Sequence, residues 1–101
     1  MNLPEDPFVR ELLPEFIDTW IEDIDTQFPV MIAEKKNDDL YRFGHTLKGS
    51  CFQFGLEEIA HLGIELMALA KETKWDESVQ MVAQIRTKFD DMKEYLKRNP
   101  I

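Results

Sequence analysis

From Val30 to Asn99 the chain contains no proline, and its apolar residues recur at spacings of three and four. That pattern suits amphipathic helices, whereas the period-2 alternation and the Asn-Gly or Asp-Gly turns of hairpins are missing. The remaining prolines act as punctuation. Pro4, Pro7 and Pro14 cluster near the start, Pro100 stands near the end, and Pro29 alone interrupts a periodic segment. The chain therefore reads as all-α.

Pro7 to Leu13 is expected to form a short first helix. A longer one is opened by Pro14, because proline is tolerated where its missing N–H would have no partner. The second helix carries Phe16, Ile17, Trp20, Ile21, Ile24, Phe28 and Ile32 as a core stripe, with a kink expected near Pro29. Asn37, Asp38 and Asp39 offer cap candidates and negative charge at the start of a third helix running to about Phe54, which Gly55 ends. A fourth helix spans about Leu56 to Glu72. A fifth runs from about Asp76 to Lys97 with Val79, Val82, Ile85, Phe89, Met92 and Leu96 inward. Short connections between long amphipathic helices predict an up-down antiparallel four-helix bundle with the first helix as an accessory, in one domain of residues 1–101.

Composition narrows the function. At 101 residues and 44% hydrophobic the chain has material for a single core. A formal charge of −8 argues against a nucleic-acid partner, since binding phosphate backbones requires clustered positive charge. A single cysteine, Cys51, permits no internal disulfide, and no Cys/His cluster has zinc spacing. The start of the chain lacks a basic stretch followed by an apolar one, and no apolar run is long enough to span a membrane, so a soluble cytoplasmic protein is expected. There is no Gly-rich phosphate loop and no room for a nucleotide domain, so any phosphate chemistry must borrow its donor.

With Leu40 placed at zero on a wheel of about 100° per residue, Leu40, Phe43, Leu47, Cys51 and Phe54 fall within an arc of about 80°. His45 then lies at about 140°, with Lys48 at about 80°, Gly49 at about 180° and Phe52 at about 120°. A core histidine would need the opposite face, so His45 is expected in solvent. Gly44 and Gly49 each cost about 1 kcal/mol relative to alanine in a helix interior, which calls for a reason in packing or access. Gly49 follows His45 by one turn and would leave space beside the ring. Lys48, three residues on, could hold an anion attached to the imidazole. A neutral imidazole is also a competent nucleophile, and together these features point to a phosphoryl acceptor.

The segment His45-Thr46-Leu47-Lys48-Gly49-Ser50-Cys51-Phe52-Gln53-Phe54-Gly55 resembles the signature of histidine-containing phosphotransfer (HPt) domains, roughly H-x-L-K-G-[SA]-[SAC]-x-x-[LF]-G, and fills every specified position. Gly44 departs from the family's usual alanine and is expected to loosen the helix before the histidine. The resemblance implies a carrier rather than a kinase. His45 would accept a phosphoryl group from the aspartate of one response-regulator receiver domain and pass it to another, with a hybrid sensor kinase upstream. It assigns Lys48 to stabilising the phosphate and Gly49 to access. It implies no resident cofactor or metal, because Mg²⁺ and the oxyanion clamp would belong to the receiver.

Other residues invite weaker readings. Phe52, outward beside His45, is either a docking contact or covered by a neighbouring helix, and docking is the expectation. Tyr41, one turn before His45, would join that patch. His61 and Glu65 read as a solvated pair rather than a metal site. Cys51 reads as a small buried hydrophobe. Three alternatives bear on the same residues. The H-box of a sensor-kinase dimerisation fragment, resembling His-Glu-x-Arg-Thr-Pro, is not matched. The HPt-like first domain of chemotaxis-type kinases is a closer relative, and a non-catalytic receiver-binding adaptor would need no His45. A monomer is expected, since the motif face must stay open.

Overall fold

A computed structural model describes residues 3–99; Met1, Asn2, Pro100 and Ile101 lie outside that range. Four helices follow one another: α1 (Pro7–Glu34), α2 (Asn37–Gln53), α3 (Glu57–Lys71) and α4 (Trp75–Arg98). All regular structure among the described residues is helical.

The expected accessory helix does not exist as a separate element. Residues 7–13 form the first turns of α1, which runs through both Pro14 and Pro29. Asp6 caps it by accepting a hydrogen bond from the Phe8 amide at 2.9 Å, and Pro7 takes the first helical position. An interior proline costs about 3 kcal/mol. Here the residues on either side hold the helix together: Leu13 and Ile17 are fully buried while Pro14 itself faces solvent. Burial outweighs a local breaker.

The other helices end within a residue or two of expectation. Lys35 closes α1 in the left-handed region at φ 52°, and its N–H reaches the Ile32 carbonyl at 3.3 Å. Gly55 stops the segment after α2 at φ 72°, a conformation glycine adopts without strain. The capping expected of Asn37, Asp38 and Asp39 is absent: Lys36 is the N-cap residue and makes no side-chain cap bond. Asp38 and Asp39 in the first turn instead supply negative charge to the helix dipole.

Neighbouring helices meet in opposite sequence directions. Asp25 and Asp18 of α1 reach Arg86 and Lys93 of α4, and Tyr41 and Phe52 of α2 meet Lys71 and His61 of α3. On the α1–α2 side, Phe16 stacks on Phe54 at 4.1 Å and Trp20 meets Phe43 edge-on at 5.5 Å. Trp20 also lies parallel to Phe89 of α4, so one indole ties three helices to the core. On α4 the inward phase runs through Ser78, Val82, Ile85, Phe89 and Met92. Val79, expected inside, is 39% exposed, and Ser78 is buried in its place. The Ser78 hydroxyl donates to the Lys74 carbonyl at 2.8 Å, which removes the cost of an unpaired polar group.

α2 runs unbroken through Gly44, and the missing side chain there lets α2 and α3 touch. A β-carbon there would sit 3.0 Å from the Gly63 carbonyl oxygen, and one on Gly63 would sit 3.0 Å from the Gly44 carbonyl oxygen and 3.1 Å from the Lys48 amide nitrogen. These neighbours are backbone and can yield only if the helices part. Gly63→Ala should therefore destabilise by about 1–2 kcal/mol in urea unfolding, the packing strain exceeding the gain in helix propensity. Gly49→Ala should stabilise by up to about 1 kcal/mol, since its propensity gain is opposed by nothing within 4 Å.

Candidate functional site

The inward residues of α2 are Leu40, Phe43, Gly44, Leu47 and Cys51, and this fixes what the rest of the helix presents. His45 and Gly49 stand on the outer surface, and Lys48 is half-buried beside α3. No hydrogen bond or ion pair claims the His45 ring among the described residues, so both of its nitrogens are free of such partners there. The space where a Gly49 side chain would stand is open, and it adjoins the imidazole along the helix. An incoming group can thus approach the ring from the Gly49 side.

The two residues expected to extend this patch turn partly toward α3. Phe52 keeps 43% of its surface exposed but sets its ring against His61, centroids 5.7 Å apart and planes at 86°. Tyr41 is half-buried, and the Lys71 ammonium lies 5.4 Å from its ring centroid. Phe52 is therefore both an exposed aromatic and a contact of the neighbouring helix, two readings that sequence position alone had set against each other. His61 is exposed and makes no ion pair with Glu65.

The opposite flank of His45 escaped the helix wheel, which contains no information about α1. There an open groove of about 470 Å³ runs between α1 and α2, lined among others by Trp20, Gln27, Val30, Arg42 and Thr46. Val30 is 47% exposed at its edge. The one available signal was Arg42, three residues before His45 as Lys48 is three after it.

Cys51 is fully buried, and burial pushes its thiol up to about 12, which removes thiolate chemistry at neutral pH. It serves as a small core residue, as its wheel position suggested. Among the described residues no three ligating side chains gather in a way that could hold a metal ion. No helix among them is long and apolar enough to cross a membrane.

The Hpt domain family model matches residues 9–95. Searches of curated proteins and of solved structures found no match. The family match takes in all of α2 and α3 and most of α1 and α4, so the histidine motif and the helices that carry it are matched as one unit. The chain belongs to the Hpt domain family.

Proposed function

We propose that this protein carries a phosphoryl group on His45 between receiver domains of a two-component phosphorelay. Hpt domains are histidine phosphotransfer modules that interact with receiver domains, and they are not kinases. The observation that carries the assignment to this residue is the exposed, unclaimed His45 ring beside the open space at Gly49. An up-down antiparallel bundle is the scaffold we infer from the opposed helix pairings, with α1 contributing its full length.

In the inward step a neutral imidazole nitrogen attacks the phosphorus of the receiver's aspartyl phosphate. The N–P bond forms as the P–O bond to the carboxylate breaks, and the aspartate leaves with that electron pair. The ring, still protonated on its other nitrogen, can release that proton to solvent. Transfer to a second receiver runs the same exchange in reverse. Lys48 neighbours the ring on the helix surface and offsets charge on the phosphoryl oxygens. Gly49 leaves room for the receiver's loops, and Phe52 and Tyr41 border the contact on the α3 side. The receiver brings Mg²⁺ with its own acidic pocket, and a hybrid sensor kinase stands upstream. The carrier acts as a cytoplasmic monomer, which keeps the α2 face open.

The test is a screen of receiver domains charged with acetyl phosphate in the presence of Mg²⁺. Transfer of label to this protein is expected from at least one receiver, and no label is expected from ATP alone. Binding of receivers without any transfer would replace the carrier by an adaptor, and label from ATP alone would overturn the reading.

A further inference from the structure

Arg42 and Lys48 straddle His45. Each is three residues away, so on the helix surface they lie about 60° to either side, Arg42 toward α1 and Lys48 toward α3. Arg42 is exposed and lines the α1–α2 groove, whose walls also carry Asp23 and Asp39. Two carboxylates in the same groove would ordinarily claim a guanidinium, yet Arg42 takes part in no ion pair among the described residues. Arg86 on α4 behaves in the opposite way, gripping Asp25 with two bonds of 3.0 and 3.1 Å. The fork of Arg42 is thus left unspent beside the motif histidine, in a chain whose net charge of −8 would repel an acidic partner elsewhere on its surface.

We infer that Arg42 is a specificity-determining residue for the receiver, pairing its guanidinium with a surface carboxylate of the receiver when the α1–α2 groove is covered. The inference rests on the carrier reading above and adds to it a second flank of the contact. Arginine suits the role because its planar fork matches a carboxylate with two parallel bonds, and closure of the interface removes the water that weakens such pairs on an open surface. Standing on the α1 flank rather than in the space beside Gly49, Arg42 acts on encounter and leaves the phosphoryl step to Lys48.

The experiment measures KM and kcat for transfer from a receiver that labels the parent protein, at low and high salt, with circular dichroism as the fold control. Arg42→Ala should raise KM about tenfold with kcat changed less than about twofold, as expected for loss of one desolvated charge pair. Arg42→Glu should raise KM further, Arg42→Lys should fall between parent and alanine, and the differences should shrink in high salt. Lys36→Ala, at the same groove but beside Glu34 at 3.8 Å, should leave KM unchanged. Unchanged KM in both Arg42→Ala and Arg42→Glu overturns the inference while sparing the carrier reading. So does a fall in kcat at constant KM, which would put Arg42 on the phosphoryl group, or an equal rise in Lys36→Ala, which would mean a diffuse field. A parent protein labelled by no receiver overturns the carrier reading and this pairing together.

Discussion

His45→Ala should abolish labelling by a phosphorylated receiver, whereas His61→Ala should be labelled like the parent protein. Both histidines are exposed, so accessibility alone does not separate them. Their surroundings do. Beside His45 lies the open space at Gly49, with Lys48 one turn on. His61 has the Phe52 ring edge-on against it and Glu65 one turn on, where a carboxylate would repel phosphoryl oxygens. Removing an exposed side chain should shift stability by no more than about 0.5 kcal/mol, so loss of label in His45→Ala would report chemistry rather than unfolding. Phosphate released after acid treatment but retained after alkali would identify the N–P bond in the parent. Label persisting on His45→Ala would move the acceptor elsewhere and remove the basis for the site.

Gly49→Gln should lower the transfer rate by about 10²-fold while leaving the bundle folded, because in-line attack tolerates misplacement of only about 1 Å. The two halves of this expectation have one cause. Outside the backbone of α2 itself no described residue lies within 4 Å of a Gly49 β-carbon, so a side chain can leave the helix here toward open space, with a gain in helix propensity of roughly 0.5–1 kcal/mol. What it fills is the approach to His45. A raised midpoint in urea together with slow transfer would separate access from stability, which few substitutions near a reactive centre can do. Transfer at the parent rate would show that the receiver does not enter from this side. Gly63→Ala supplies the contrast, since its added methyl meets backbone atoms of α2 and acts on stability.

Much of this was legible because helices advertise their periodicity. The spacing of Leu40, Phe43, Leu47 and Cys51 placed one face of α2 inward, and that alone put His45 outside. The motif from His45 to Gly55 carried the family, and Gly55 marked the end of the helix through the backbone conformation it takes. Local signals failed where tertiary contacts outweighed them. Pro14 looked like a helix start, but burying Leu13 and Ile17 on either side of it offsets one missing hydrogen bond and keeps α1 whole. Val79 looked like core because it is apolar, yet the phase of α4 is set by its neighbours and brings Ser78 inside with its hydroxyl satisfied by the backbone.

The sequence by itself determined the helical class, the inward face of α2 and the motif histidine with its neighbours at 48 and 49, since all of these depend on residues within a few turns of one another. Only the tertiary structure decided why Gly44 is a glycine, which way Phe52 turns, and that Arg42 borders a groove. Each depends on a second helix whose distance and phase are set by packing between segments far apart in the chain. Gly44 meets Gly63 across the α2–α3 contact, Phe52 meets His61 of α3, and the groove beside Arg42 is completed by Trp20 and Val30 of α1. A single helix wheel contains its own angles and none of its neighbour's.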